Sequence, residues 1–171
     1  MIYYQDKYVT IYHGNCDIKE ADVIVVDPPG LVEDIASYKF KVFYVFCGFG
    51  TGGNFAYYCE KLLPQKLRCW DWLCNYPSRV QTMDSIGIIG ASPINNSPYH
   101  LPNLEDRFTR WERPIKLMID LLLPTEGDIL DPFLGSGSTA VAAKLLKRNC
   151  IGYDTDERCC EIAANRLKMI E

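Results

Sequence analysis

Asp131-Pro132-Phe133-Leu134-Gly135-Ser136-Gly137-Ser138, with Asp154 following it after one helix-length segment, is the stretch on which the reading of this chain turns. Gly127-Asp128-Ile129-Leu130 leads into it as a short apolar strand. The two glycines permit a tight turn against a ligand, and Ser138 is placed to cap a helix that starts at Thr139. Asn149-Cys150-Ile151-Gly152-Tyr153 then predicts a second strand that ends in Asp154. An acidic side chain at that point is positioned to accept hydrogen bonds from ribose hydroxyls, so the pattern points to an adenosine-containing cofactor. No Lys follows the glycines, which argues against a P-loop, and the missing third glycine argues against a standard dinucleotide fingerprint. A plain strand-to-helix turn is the alternative that these residues leave open.

Asp27-Pro28-Pro29-Gly30 ends the apolar run Ala21-Asp22-Val23-Ile24-Val25-Val26 and so stands at the carboxyl end of another buried strand. Two consecutive prolines fix the backbone and supply no amide hydrogen, which leaves their carbonyls as acceptors beside the Asp27 carboxylate. Carboxylate and carbonyl together suit an NH2 group. Alone, the same residues would also describe a strand closed by a turn with a solvated Asp.

Taken together, the two motifs resemble those of the amino-group DNA methyltransferases, which transfer a methyl group from S-adenosylmethionine to adenine N6 or cytosine N4. In that family the cofactor motif has the form of residues 131–138 here, and the catalytic motif is Asp-Pro-Pro followed by an aromatic residue. The catalytic motif comes first in this chain, the order of the circularly permuted beta group. Arg113-Pro114 resembles the Lys-Pro before the helix leading to the cofactor strand, and His13-Gly14-Asn15-Cys16 occupies the place of a Gly-Asp turn.

The resemblance implies a doubly wound α/β fold with a mostly parallel, seven-stranded sheet and helices on both faces. It assigns Asp27, Pro28, Pro29 and Gly30 to catalysis. It assigns Asn15, Asp27, Arg113, Pro114, Asp131, Pro132, Phe133, Gly135, Ser136, Gly137, Ser138 and Asp154 to the cofactor, S-adenosylmethionine. DNA with a flipped base is the implied partner, adenine N6 ahead of cytosine N4, with a specificity subunit or a homodimer as further possibilities. Two departures stand out. Gly30 replaces an aromatic residue that stacks on the target base, and Asn15 replaces an Asp. These departures keep open a cofactor-binding partner subunit, or a methyltransferase of RNA, nucleotide or protein amide.

At 171 residues and 48% hydrophobic content, one domain is expected: a catalytic half over 1–90, a short loop over 91–110 in place of a target-recognition region, and a cofactor half over 111–171. The net charge of −4 gives no global attraction to nucleic acid, so contact with DNA requires a local basic face. Arg107, Arg110, Arg113 and Lys116 recur every three residues and are candidates, with Lys144, Lys147 and Arg148 a lesser set; solvated surface is the alternative for both. Eight cysteines without a Cys-x-x-Cys pair, and no hydrophobic leader after Met1, suggest reduced thiols in a cytoplasm. Only two histidines are present, so no metal site is expected, and no apolar run has membrane-spanning length.

Strands are expected near 8–13, 22–27, 41–46, 66–72, 85–90, 128–131 and 149–153, and helices near 31–38, 54–62, 114–123, 139–147 and 156–168. Residues 46–53, rich in Gly, suit a mobile loop or a simple connection. Trp70 and Trp72 alternate on a strand and suit core packing better than base stacking.

Overall fold

The apolar runs assemble into one sheet in the computed structural model, which describes residues 1–30, 32–47, 57, 58, 60–62, 68–75, 81–91, 99–100, 108–109 and 112–170. Nine strands are present among these residues: β1 (Ile2–Gln5), β2 (Val9–His13), β3 (Val23–Val26), β4 (Val42–Phe46), β5 (Arg68–Asn75), β6 (Gln81–Ile89), β7 (Tyr99–His100), β8 (Ile129–Asp131) and β9 (Cys150–Asp154). Their spatial order is β1-β2-β9-β8-β3-β4-β6-β5-β7. All seven expected strands are there, and β1 and β7 extend the two edges.

Strands β2, β9, β8, β3 and β4 are mutually parallel, whereas β6 runs antiparallel to both β4 and β5. Chain direction sets where a ligand can enter. From β8 the chain crosses to β9 on one side, and from β3 it crosses to β4 on the other, so β8 and β3 are neighbours whose connections diverge. A crevice opens at such a switch point, beyond the carboxyl ends of the strands.

Alternation along the buried strands divides the core in two. Val23 and Val25, with Tyr44, Phe46 and Ile129, face the cluster completed by helices α1 (Ile115–Leu122), α2 (Ser138–Leu145) and α3 (Glu157–Lys168). Ile24, Val26, Phe43, Val45 and Leu130 face the opposite cluster, which Ile35, Tyr38, Tyr58 and Leu62 complete. Helical structure therefore lies on both faces.

Three local expectations change. The helix expected over 31–38 is a single 3-10 turn, Ile35–Ser37. Its buried residues Val32, Ile35 and Tyr38 are spaced by three, the period of a 3-10 turn and not of an α-helix. Second, Ser138 is not the cap of α2 but its first residue. Gly137, at φ 83°, holds the cap position, and the Ser138 hydroxyl instead donates to the Arg113 carbonyl at 2.9 Å. Third, the segment 91–110 is not a plain loop, because Tyr99–His100 pairs in parallel with β5 and the buried Tyr99 hydroxyl donates to Asp120 at 2.9 Å. Of the helix expected over 54–62, residues 57, 58 and 60–62 are helical.

Candidate active site

Four parallel strands deliver the site residues to one edge of the sheet. β8 ends in Asp131, which pairs with Gly152 of β9, so Asp154 stands two residues further out on the adjacent strand. His13 pairs with Asp154, which brings Gly14 and Asn15 alongside. On the other side, extending the β3–β8 register places Val25 level with Asp131, and Asp27 one pleat beyond it. A cavity of about 860 Å³ lies over this edge and is lined by Asn15, Asp27, Pro28, Pro29, Arg113, Asp131, Phe133, Gly135, Ser136 and Asp154 among others. That volume is within the range of small-molecule and cofactor sites.

The glycine turn is held by hydrogen bonds that also fix the acidic groups. Asp154 accepts the Gly135 amide at 2.7 Å through one oxygen and the Asp156 amide at 2.8 Å through the other. Its carboxylate thus braces the turn as well as facing the cavity. Gly135 adopts φ 55°, and a Cβ built there would meet nothing within 4 Å, so the cavity comes up to bare backbone. Gly137 is constrained for a different reason: a Cβ there would lie 2.6 Å from Ala163 Cβ on α3.

Asp131 is only 3% exposed. Burial pushes its carboxyl up to about 7, with Asp27 and Asp154 adding to the rise, while the Thr139 side chain and the Phe133 amide oppose it. A carboxyl whose folded-state value lies above its ordinary one favours folding while it is protonated. Its contribution is therefore full below about pH 4 and is lost as pH rises through about 7. Urea unfolding of the wild type should accordingly lose stability between pH 5 and pH 8, and Asp131→Asn should show a smaller loss over the same interval. Equal slopes for the two proteins would refute this.

Arg113 meets Asp27 with a two-pronged grip, Nε to Oδ2 at 2.6 Å and Nη2 to Oδ1 at 2.9 Å. The guanidinium carbon also lies 4.6 Å from the centre of the Phe46 ring. Only 13% of the Arg113 side chain and 27% of that of Asp27 are exposed, so the pair is poorly screened. Asp27 is thus a paired carboxylate, and its remaining lone pairs are what a substrate N–H would meet.

Gly30 is an open position. Among the described residues its Cβ direction is empty to 4 Å, and its φ lies outside the left-handed region, so neither crowding by them nor backbone conformation demands glycine. The Tyr58 hydroxyl donates to the Gly30 carbonyl at 3.4 Å and so supports the turn from the buried side. Phe49 and Trp111, the two rings that could take the place of the missing aromatic residue, lie outside the described residues.

The basic surface changes more. Lys144 pairs with Asp6 at 2.8 Å and donates to the Leu167 carbonyl at 2.8 Å. Arg148 donates to the carbonyls of Leu122 and Gly127 and to the Thr125 hydroxyl. Both side chains tie elements together. Arg113 is engaged with Asp27, Lys116 with Asp120, and Arg107 and Arg110 lie outside the described residues. The side chains of Trp70 and Trp72 are likewise outside.

Several residues in and beside the cavity were not singled out by the sequence motifs. Lys19 pairs with Asp34 at 2.7 Å and lies 4.3 Å from the Tyr38 ring centre, all three lining the cavity. Arg166 of α3 donates to the Ser136 carbonyl at 2.7 Å and pairs with Glu112 at 2.9 Å. A charged residue beside the stripe Cys160, Ala163, Ala164, Leu167 was the available clue to Arg166. Among the described residues, no group of His, Cys, Asp and Glu could hold a metal ion, and no helix is long and apolar enough to cross a membrane.

Residues 112–165 match the family described as "DNA methylase". Over 53 residues the chain is 51% identical to the Type II methyltransferase M.HindIII of Haemophilus influenzae, an alignment that covers 31% of this chain and 17% of that protein. The chain therefore aligns with under a fifth of that relative's length. In fold it is similar to the crystal structure of the M1.HpyAVI–SAM complex, with TM-score 0.70, 21% identity, and coverage of 92% of this chain and 99% of that one. It is also similar to the PvuII DNA methyltransferase (cytosine-N4-specific), with TM-score 0.66, 14% identity, and coverage of 96% and 88%.

Proposed function

We propose that this chain is an amino-group DNA methyltransferase, a reading supported by the DNA methylase match over residues 112–165, and that it binds S-adenosylmethionine and transfers its methyl group to an exocyclic amine of a DNA base. The observation that carries the reading is the convergence of Asp27 and the Gly135 turn on one cavity from adjacent strands. The residues fit such a cofactor. Bare backbone at Gly135 leaves room for close approach, and Asp154 is placed to receive ribose hydroxyls. When bound, the cofactor supplies an electrophilic methyl group on a sulfonium. Arg113, held on Asp27, and Asn15 border the same cavity.

The chain's own residues then act on the amine. Its lone pair is delocalised into the base ring, and accepting its hydrogens at the Asp27 carboxylate and the Pro28 carbonyl favours a pyramidal nitrogen. Transfer is direct, with no covalent enzyme intermediate; the methylated nitrogen gives up one N–H proton to the Asp27 carboxylate that accepts its hydrogen bond, and a base in duplex DNA must leave the stack to reach Asp27. Of the two amines, we infer adenine N6 ahead of cytosine N4. The test is incubation with S-adenosylmethionine labelled on the methyl group and duplex DNA. Label in DNA supports the reading, and calorimetric cofactor binding without transfer to DNA, RNA or nucleotides would favour a partner subunit instead.

Asp154→Ala removes hydrogen bonds to the cofactor together with the acceptor for the Gly135 amide. Bonds to a charged group are worth about 1.5 to 3 kcal/mol, so the dissociation constant for S-adenosylmethionine should rise roughly 10- to 100-fold. Unchanged affinity in calorimetry would remove Asp154 from the site.

Gly30→Tyr tests the missing ring. A second ring already filling the slot, or a positive φ, would make the substitution harmful, but the open space at Gly30 supports neither among the described residues. Stacking is worth about 1 to 3 kcal/mol. The added ring should therefore lower the apparent KM for DNA, and a raised KM would show that the space is used by substrate or by a residue of another segment.

A further inference from the structure

Arg166 stands on the last helix, outside both motifs, yet it is as buried as the residues of the core. Its side chain and that of Glu112 are each 8% exposed and meet at 2.9 Å. Nη1 of the same guanidinium reaches the Ser136 carbonyl at 2.7 Å and the Ser136 hydroxyl at 3.2 Å, and the Phe108 ring centre lies 4.7 Å from its central carbon. The other Glu112 oxygen accepts the Phe108 amide at 3.0 Å. One planar cation thus joins two segments remote in sequence: the glycine turn and the strip leading into α1.

The strip matters because its next residue is Arg113, which grips Asp27. The turn matters because the Ser136–Gly137 peptide is pinned at both ends, its carbonyl by Arg166 and its amide by the Leu134 carbonyl at 3.0 Å. A second tie runs in parallel, from the Ser138 hydroxyl to the Arg113 carbonyl. A planar fork can serve Glu112 and Ser136 at once, whereas a lysine ammonium is a point charge on a flexible stem.

We propose that Arg166 is a positioning residue that holds the cofactor turn and the Glu112–Arg113 strip in one fixed relation, and so sets cofactor affinity and the placement of Asp27 together. The inference rests on the reading of the cavity as a methyltransferase site. Breaking the pair on one side alone leaves a buried charge uncompensated, so a single substitution confuses folding with positioning. The paired variant Glu112→Gln/Arg166→Met removes both charges and separates the two.

The wild type, Glu112→Gln, Arg166→Lys and the paired variant are compared by thermal unfolding, calorimetry with S-adenosylmethionine, and kinetics of methyl transfer to duplex DNA. Absence of cofactor binding by the wild type would overturn the methyltransferase reading and this inference with it. With wild-type binding in place, Glu112→Gln should weaken affinity less than the paired variant does, because the bonds from Arg166 to Ser136 persist. The paired variant should remain folded but bind cofactor at least 10-fold more weakly and show a lower kcat at saturating cofactor. Arg166→Lys, which retains the charge balance, should not restore either quantity. A folded paired variant with affinity and kcat within twofold of wild type would overturn the proposal and reduce Arg166 to a stabilising ion pair. If the paired variant does not fold, Arg166→Lys decides alone, with wild-type affinity and kcat as the overturning result.

Discussion

Asp27→Ala should lower methyl transfer by on the order of 10²-fold or more while leaving the dissociation constant for S-adenosylmethionine within a few-fold. The magnitude is that of removing one preorganised polar group from a reacting centre. The separation between chemistry and binding follows from the roles proposed, with Asp27 meeting the substrate amine while the Gly135 turn and Asp154 hold the cofactor. Its pairing with Arg113 adds a control. Asp27→Asn keeps the shape and an acceptor oxygen but loses the charge that holds the guanidinium fork, so it too should transfer slowly. Single-turnover kinetics at saturating cofactor, with calorimetry beside it, measures both quantities. Full activity in Asp27→Ala would remove the residue from catalysis.

Gly137→Ala should be strongly damaging to the cofactor half. The new Cβ would lie 2.6 Å from Ala163 Cβ and 3.1 Å from its Cα, on a helix whose position is fixed by its own packing. Crowding in a packed core costs about 1 to 3 kcal/mol, and a non-glycine residue at a left-handed φ costs about 1 to 2 kcal/mol more. A melting temperature lower by roughly 5 to 15 °C follows for a chain of this size, together with weaker cofactor binding. Gly135→Ala, where the Cβ direction is empty, should cost the fold less and act mainly through the cavity. If the two variants melt alike, the distinction between a packing glycine and an approach glycine is wrong.

Much of the fold was legible because its central strands are written as short, near-continuous apolar runs. Val23–Val26 and Val42–Phe46 have no charged member and belong to parallel strands covered on both faces. The edges were less legible. β1 and β7 are short and draw on residues such as Tyr99 whose burial depends on a distant Asp120. The 3-10 turn at Ile35–Ser37 was misread because three buried residues at a spacing of three are close to a helical stripe over so short a span.

At the site, the motif residues converged as their positions at strand ends imply, but their partners were invisible. Nothing in Arg113 announced that it would hold Asp27 across 86 residues of chain, nor in Lys144 and Arg148 that they would bind Asp6 and backbone carbonyls instead of facing outward. Spacing along a helix locates a charge but does not identify what meets it. Ser138 illustrates the same limit. A serine before a helix suggests a cap, and only the fold shows that the left-handed Gly137 takes that place while the hydroxyl reaches Arg113.

The central claim is that Asp27 and the glycine turn form one site for methylating an exocyclic amine in DNA. Mass analysis of nucleosides from the DNA of cells producing the wild type or Asp27→Ala tests it most directly. The account predicts N6-methyladenine or N4-methylcytosine above background with the wild type and its loss with Asp27→Ala. Equal levels of every methylated nucleoside in both, with both proteins folded and binding cofactor, would contradict it.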